Sequence, residues 1–176
     1  MQCLELNTLF QQLLHYRNQA PDLQTLGPWL QRQVPTYSFP DLHQIPFAAT
    51  AYTRNCIARE TLTSHSPSAG AAARHPPQRF EAFIMRWDKQ VQTPIHGHPT
   101  FAFYYVITGL FEMECFTPSS TGTLQSQGVQ QLYPSDTTWH VGQTGRYDNF
   151  IHRVRCVEPG HTFHIYSDDA KKGVAL

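Results

Sequence analysis

Two histidines separated by one glycine are the sharpest chemical signal in the 176-residue sequence. Residues i and i+2 of a strand point to the same face, so His96 and His98 can bind one metal ion together. Neutral imidazole is the commonest protein ligand for transition metals. The most apolar stretch of the chain begins soon afterwards, at Phe101, where an unpaired polar group is costly to bury. Because an isolated pair of this kind often has a structural or surface role, the metal hypothesis requires further ligands.

A third ligand is available from a distant part of the chain. His152 lies in the predicted strand 148–157, whose pattern is that of a partly buried strand. His140 is the alternative ligand if His152 does not bind. The sequence therefore predicts a metal site that is built from two remote segments.

The last predicted strand, 161–166, has one mainly apolar face and one polar face. The polar face carries a hydroxyl, an imidazole and a phenol in a row, from Thr162, His164 and Tyr166. A row that faces solvent would more usually contain Lys, Glu or Gln. We therefore expect these three groups to face a polar cavity, with a solvent-facing row as the open alternative.

An arginine is predicted to face the same interior. Tyr52 and Arg54 share one face of the predicted strand 51–58. A guanidinium is a planar fork that binds carboxylates through two hydrogen bonds. An inward-facing arginine needs an anion, which is either a substrate or a protein carboxylate, and Glu60 and Glu81 are the candidates for the second role.

The elements that would position these side chains are mostly strands. Only 15% of the residues are charged, 12% are aromatic and 13 are prolines, which is typical of a β-rich domain with many turns. The predicted helices cover 5–19 and about 21–33, the second strained by Gly27-Pro28, so that residues 1–46 form a helical cap on a β domain at 47–176. A tight turn is predicted at Thr108-Gly109, and 63–78 is a predicted loop. Strands are predicted over 51–58, 79–87, 101–108, 110–117, 128–133, 148–157 and 161–166, which favours an antiparallel barrel or sandwich.

Charge and composition exclude several classes of function. Lys+Arg and Asp+Glu both number 13, so the formal net charge is zero, which argues against a nucleic-acid partner and against attraction to anionic membranes. No apolar run approaches the roughly 18 residues of a membrane helix, and the first residues lack the basic stretch of a signal peptide. The four cysteines are scattered without a CxxC pair, as expected of reduced thiols in the cytoplasm.

The His-x-His motif, the apolar strand after it, a turn glycine and the distant histidine together resemble the two motifs of the cupin barrel. Cupins usually carry a glutamate a few residues after the second histidine, but positions 100–103 are Thr, Phe, Ala and Phe. A three-histidine set without a carboxylate resembles the thiol dioxygenases, and specifically the type I cysteine dioxygenases. The resemblance covers about residues 45–167. Its pieces, in order, are Tyr52-Thr53-Arg54-Asn55, 80–87, Ile95-His96-Gly97-His98, 109–116, His152-Arg153-Val154 and His164-Ile165-Tyr166-Ser167.

This resemblance implies a mainly β fold, a cupin-type antiparallel β-barrel of the jelly-roll kind. It implies that His96, His98 and His152 hold Fe(II), and that the enzyme oxidises L-cysteine with O2 to cysteine sulfinic acid. A substrate thiolate then supplies the negative charge that a carboxylate ligand would have given. Both oxygen atoms go to sulfur, so no external reductant is required.

The resemblance also implies roles for the other candidate residues. Arg54, helped by Tyr52, would bind the substrate carboxylate. Tyr166 would donate a hydrogen bond near the iron and would be oriented by His164. Thr162 stands where the family often has serine, and it is expected beside the substrate.

One position departs from the pattern of the family. Several members have a cysteine five residues after the second iron-binding histidine, cross-linked to the tyrosine that matches Tyr166. Phe103 occupies that position here, so the cross-link cannot form there. Phe103 is instead predicted to contact the substrate near Tyr166.

Other functions stay open at this stage. One is a dioxygenase for another small thiol such as 3-mercaptopropionate, although the similar enzymes for that substrate have Gln at the position of Arg54. A second is a non-catalytic metal-binding cupin that binds a small carboxylate. A third is a zinc hydrolase, which lacks an obvious general base because Glu112 and Glu114 lie on a different strand from the histidines. The sequence does not indicate the oligomeric state.

Overall fold

Two N-terminal α-helices, three short 3-10 helices and seven antiparallel strands form the regular structure of the described residues. The computed structural model describes residues 4–19, 22–61, 79–169, 172–173 and 175. The predicted mainly antiparallel β fold with N-terminal helices is confirmed, and the predicted loop at 63–78 lies outside the described residues. The elements are α1 (Leu4–Gln19), α2 (Leu26–Gln33), β1 (Tyr52–Arg59), β2 (Phe80–Trp87), β3 (His96–His98), β4 (Phe101–Pro118), β5 (Leu124–Leu132), β6 (Thr137–Val141) and β7 (Asn149–Ser167).

The two helices pack on the outer face of the sheet. The buried side of α1 carries Leu6, Leu9, Phe10 and Leu13, the spacing of one helical face. These side chains join a single cluster with the fully buried Phe80, Phe101 and Phe103 of the strands. The predicted boundary at residue 46 between a helical cap and a β domain stays a prediction, since the helices and the sheet share this cluster.

The second helix is shorter than predicted. A 3-10 turn, Leu23–Thr25, precedes α2, and the Asp22 side chain accepts a hydrogen bond from the Gln24 N–H. The predicted strain at Gly27-Pro28 is wrong because both residues lie in the first turn of α2. A proline there costs no hydrogen bond, since backbone N–H groups of the first turn have no partner within the helix.

The strands are arranged in the order β1-β2-β7-β4-β5, with β3 also paired to β7 and β6 also paired to β4. The central pair, β4 and β7, is continuous over 18 and 19 residues. The predicted turn at Thr108-Gly109 and the predicted break before residue 161 are therefore wrong. Both strands instead shift register at the same level, where Thr108 pairs with His161 and Leu110 pairs with Glu158. Irregularities of this kind bend a strand without ending it.

The bend gives each central strand two different sets of neighbours. The first part of β4 pairs with β6, and its second part pairs with β5. The first part of β7 pairs with β3, and its second part pairs with β2. The sheet thus folds around an inner cluster that includes Phe83, Trp87, Tyr104 and Tyr166.

Gly160 is required where the bent strands cross. A Cβ atom at this position would collide with the carbonyl oxygen of Thr108 and would lie 2.8 Å from the Cα atom of Gly109. Gly109 itself has φ +89°, a conformation that side chains rarely adopt. The crossing therefore depends on two glycines that face each other.

We expect Gly160→Ala to lower the free energy of unfolding by about 3 kcal/mol, the upper part of the range for overpacking, because backbone atoms must move apart. The urea midpoint of the two proteins measures the effect. Gly145→Ala is the matched control: Gly145 has φ +79° but open space around it, so only the conformational cost of about 1 kcal/mol applies. Equal costs for the two variants would contradict a collision at the crossing.

Among the described residues, no helix combines the length and the apolar character that crossing a membrane would require. Cys56, Cys115 and Cys156 are free thiols, and Cys3 lies outside the described residues.

Candidate metal centre

Three histidines converge where β3 pairs with β7. His96 lies directly opposite His152 in the antiparallel register. His98 completes the group, and the ring centroids of all three pairs are 4.8 Å apart. Their ligand atoms lie within 4.8 Å of one another, in the arrangement of a group that could hold a metal ion.

The glycine between the two histidines of β3 permits this close packing. A Cβ atom at Gly97 would lie 2.6 Å from the carbonyl oxygen of Tyr147 and would collide with the backbone of Asp148. Since only a hydrogen atom fits there, β3 can lie against the chain that leads into β7. Gly97 thus lets its two neighbours reach the same ion.

A β-bulge in β7 aims the third histidine. His96 pairs with His152, but His98 pairs with Asn149, so β7 contains one extra residue between the pairs. Phe150 in this bulge has φ +48°, which is uncommon for a side chain of its size. Bulges next to functional sites often redirect a side chain, and the Phe150 carbonyl accepts a hydrogen bond of 2.9 Å from Nδ1 of His152.

The hydrogen bonds of the rings leave nitrogen lone pairs directed at the centre of the group. Nδ1 of His96 donates to the Pro94 carbonyl oxygen at 2.9 Å, as Nδ1 of His152 does to Phe150. Nε2 of each ring is therefore the unprotonated atom. His98 is buried, and neither of its ring nitrogens has a hydrogen-bond partner among the residues that the structure describes. A metal ion bound to His98 would satisfy one of these nitrogens, so the residues present fit a metal.

Burial keeps these imidazoles neutral. Desolvation lowers the pKa of His152 to about 3 and lowers the pKa of His98 well below its usual value. Desolvation also lowers the pKa of His96. Neutral imidazole is the form that binds metal ions, so the site is ready to bind one at neutral pH without first losing protons.

We expect the metal-free protein to lose stability as the pH falls from 6.5 to 5. His98, His152 and the buried His164 have lowered pKa values in the folded chain, so only the unfolded chain takes up protons below its own pKa of about 6.5. The free energy of unfolding then falls with decreasing pH, by up to about 1.4 kcal/mol per pH unit for each histidine. Urea unfolding of chelator-treated protein at several pH values measures this slope. It should be shallower in His152→Gln, and a slope of zero would contradict the burial of neutral rings.

A cavity of about 320 Å³ opens beside the three histidines, and Arg54 lines it. The guanidinium carbon lies 4.9 Å from the centroid of the Phe83 ring. Its Nε is buried and has no hydrogen-bond partner within the described part of the chain. Both candidate carboxylates bind elsewhere: Glu60 pairs with Arg17 at 2.7 Å, and Glu81 pairs with Arg59 at 2.6 Å. The alternative that Arg54 pairs with Glu60 or Glu81 is therefore not supported.

The described residues that line the cavity carry one positive charge and no negative charge. Arg54 is its charged residue, and no Asp or Glu occurs among the described residues that line it. Its apolar walls are formed by Met85, Trp87 and Val154. A divalent metal ion would add further positive charge, so the site is built for an anionic ligand.

Two members of the polar row of the last strand, His164 and Tyr166, line this cavity, and the third, Thr162, lies behind them. Thr162, His164 and Tyr166 are buried on one face of β7. The Thr162 hydroxyl lies 2.7 Å from Nε2 of His164, and the Tyr166 hydroxyl lies 2.7 Å from Nδ1 of the same ring. The Trp87 indole N–H donates to Oγ1 of Thr162 at 2.8 Å. One hydrogen-bonded chain thus runs from Trp87 to Tyr166.

Two proton arrangements fit this chain. An indole N–H can only donate, so Thr162 accepts from Trp87 and has one proton of its own to donate. The Thr162 hydroxyl contacts both Nε2 of His164 and the Tyr104 hydroxyl. With the Thr162 proton directed to His164, Nδ1 of that ring carries the ring proton and donates to the oxygen of Tyr166. In this arrangement the hydroxyl proton of Tyr166 points into the cavity, beside the His98 ring, whose centroid is 5.1 Å from that of Tyr166.

No protein-family model matches the sequence, and no curated protein matches it. An RmlC-like cupin from Shewanella frigidimarina is similar in structure, with 15% identity over 75% of this chain and 89% of the other and a TM-score of 0.44. A cupin superfamily protein from Desulfitobacterium hafniense has 11% identity over 74% and 90%, with a TM-score of 0.47. A hydroquinone 1,2-dioxygenase in complex with Cd²⁺ and 4-hydroxybenzonitrile has 14% identity over 51% and 58%, with a TM-score of 0.41.

The structure places most of the predicted site residues around one cavity. The lining includes all three predicted ligands, and also Tyr52, Arg54, His164 and Tyr166. Thr162 is fully buried behind His164 and contacts that ring rather than the open space. The roles of these residues stay predictions.

Phe103 is corrected by the structure. It belongs to the outer cluster that packs against the helices and does not line the cavity. The residue of β4 that pairs with Tyr166 is Ala102, whose methyl group likewise cannot form a thioether. The predicted substrate contact of Phe103 is therefore wrong.

His140 and Tyr104 lie near the site but are not among the three candidate ligands. The alternative ligand His140 lies outside the three-histidine group, and its ring stacks on Phe150 at 5.4 Å. Tyr104, which the sequence reasoning missed, lines the cavity with its ring edge-on to His164 at 4.6 Å. Its buried hydroxyl lies beside the Thr162 hydroxyl. The sequence held no local signal for Tyr104, because the face of a β4 residue depends on the register with β7.

Proposed function

We propose that the protein is a non-haem Fe(II) thiol dioxygenase that oxidises L-cysteine with O2 to cysteine sulfinic acid. The observation that carries this proposal is Arg54, a guanidinium with no carboxylate partner among the described residues, in the same cavity as three neutral imidazoles. The proposal also includes a cytoplasmic location and no nucleic-acid or membrane partner.

His96, His98 and His152 would hold the iron through nitrogen atoms alone. Iron(II) bound there would supply open coordination positions for a thiolate and for O2, together with a path for electrons between them. Three neutral ligands leave the full charge of the ion in place. The protein therefore needs its substrate to supply negative charge.

Cysteine supplies negative charge at both ends of the cavity. Its carboxylate would accept a bidentate pair of hydrogen bonds from Arg54, and its thiolate would face the three histidines. Orienting both reacting groups in this way can contribute about 7–11 kcal/mol to lowering the barrier. Sulfur gains both atoms of O2 and supplies the electrons that reduce them, so the reaction balances without an external reductant.

The Tyr166 hydroxyl is the donor closest to this chemistry. In the tautomer of His164 whose Nδ1 donates to its oxygen, the proton of Tyr166 is available to the substrate carboxylate or to an oxygen atom that is being transferred to sulfur. Burial raises the pKa of Tyr166, so the phenol stays protonated at neutral pH. Trp87 and Thr162 hold His164 in the orientation that this requires.

Two other functions use the same features. A different small thiol such as 3-mercaptopropionate also offers a thiolate and a carboxylate, and a non-catalytic metal protein could bind a small carboxylate at Arg54. A hydrolase fits less well, because the cavity has no carboxylate base among its described lining residues. Glu112 and Glu114 instead pair with Arg155 and Arg153 at 2.6 Å.

The test loads the full chain with Fe(II) under anaerobic conditions, then adds L-cysteine and isotopically labelled O2, and measures the product by mass spectrometry. We expect cysteine sulfinic acid with both oxygen atoms labelled. Oxygen uptake with cysteine, cysteamine and 3-mercaptopropionate identifies the preferred thiol. Metal-loaded protein that binds cysteine and forms no sulfinate would establish the non-catalytic alternative instead.

A further inference from the structure

After β7, Gly173 and Ala175 are described residues that line the cavity. We infer that this segment, at Gly173 and Ala175, sets the size of the thiol that the cavity admits. This inference rests on the proposed function, because it names a specificity-determining wall of the same site.

The segment reaches a metal-site residue through its backbone. β7 ends at Ser167, and Asp168 has φ +70°, a left-handed conformation that reverses the chain direction. Ala175 then forms an antiparallel bridge with His96. Gly173 and Ala175 both line the cavity. The segment thus forms part of the wall directly beside a candidate ligand.

One cluster of side chains anchors the start of this segment. The Asp168 carboxylate accepts a hydrogen bond from the Tyr147 hydroxyl and pairs with the Lys172 ammonium at 3.2 Å. The ammonium also lies 5.5 Å from the centroid of the Tyr147 ring. The backbone N–H of Lys172 donates to the Asp169 carbonyl oxygen at 3.0 Å. The anchor and the bridge to His96 hold the segment at both ends.

The composition of this wall differs from that of the others. The other described lining residues lie in strands of the sheet or at 93–94, directly before β3, and many have large side chains. Gly173 and Ala175 present a hydrogen atom and a methyl group. Ala175 is exposed and Lys172 is more than half exposed, so moving this wall breaks few buried contacts. A larger side chain here would reduce the cavity, and a weaker anchor would enlarge it.

The experiment measures thiol binding rather than turnover. Full-length protein is loaded with Co(II), and thiols are titrated while the thiolate-to-cobalt absorption band is followed. We expect Gly173→Leu and Ala175→Leu to raise the Kd of cysteine at least tenfold with unchanged cobalt content. Asp168→Asn keeps a residue that tolerates the left-handed conformation but loses the ion pair. It should lower the Kd of cysteinylglycine at least threefold, with the Kd of cysteine within twofold of wild type.

Ala49→Leu, an equivalent change at an exposed position away from the cavity, is the control and should leave both Kd values unchanged. Leucine variants that retain cobalt and bind cysteine as wild type does would overturn the inference. If both leucine variants lost cobalt, Asp168→Asn would decide, and an unchanged Kd for cysteinylglycine would overturn it. Wild-type protein that binds no thiol would instead remove the proposed function.

Discussion

Replacing His152 with alanine should abolish metal binding and, with it, the proposed activity. Two of the three nitrogen ligands would remain, and the β-bulge would no longer direct a ligand toward the site. Loss of a residue that merely orients a ligand typically lowers metal affinity about 10- to 100-fold. We therefore expect loss of a ligand itself to lower the affinity more than about 100-fold, with oxygen uptake at the level of buffer.

The iron content of purified protein after Fe(II) loading and gel filtration measures this effect, and circular dichroism verifies folding. His140→Ala is the matched control. It removes a half-buried imidazole from the same region that is outside the three-histidine group, so its iron content should equal that of wild type. An iron-replete and active His152→Ala protein would contradict the ligand assignment, and an iron-free His140→Ala protein would point to a different set of ligands.

Replacing Arg54 with alanine should leave the metal in place and weaken cysteine binding. Arg54 makes no ion pair with a described carboxylate, so its loss leaves no protein anion unpaired. Two charge-assisted hydrogen bonds to a substrate carboxylate contribute about 2–3 kcal/mol in total, which corresponds to a rise in KM of about 30- to 150-fold. The KM of Arg54→Lys should lie between those of wild type and Arg54→Ala, because an ammonium keeps the positive charge but loses the planar fork of hydrogen-bond donors.

A substrate without a carboxylate provides the control for this effect. Cysteamine has the thiol and the amine of cysteine, so its binding should be nearly the same in wild type and in Arg54→Ala. The comparison of two proteins with two thiols isolates the contact between the guanidinium and the carboxylate. A similar loss for both thiols would mean that Arg54 acts on the shape of the cavity and not on the carboxylate.

Alternation along single strands could be predicted from the sequence. His96 and His98 share a face because they are two residues apart in β3, and Thr162, His164 and Tyr166 share a face of β7 for the same reason. These relations are local and need no knowledge of the fold. The pairing state of Arg54 could not be predicted in this way. It depends on the tertiary structure, in which Glu60 and Glu81 pair with other arginines.

The error at Phe103 shows where alternation stops being informative. His98 ends β3 and Phe101 begins β4, so two residues between the strands break the pattern. Counting positions from His98 therefore does not give the face of a residue in β4. The register with β7, which pairs Ala102 with Tyr166, determines it instead.

Other elements were missed because their signals are weak or are shared with turns. Glycine at 109 and 160 predicts turns, but in this fold the two glycines permit a crossing of continuous strands. β5 begins at Leu124 and is longer than predicted, because its exposed edge is rich in glutamine and serine. β6 has five half-buried residues and no clear alternation. The bridge between Ala175 and His96 has no local sequence pattern.

The course of β7 has a consequence for how the protein tolerates changes in length. His152 precedes the bend of this strand, and His164 and Tyr166 follow it. The metal site and the phenol are therefore spaced by one uninterrupted backbone. Inserting a single residue between them would turn Tyr166 toward the helices and move its proton out of the cavity, whereas extra residues between β5 and β6 would leave this spacing intact.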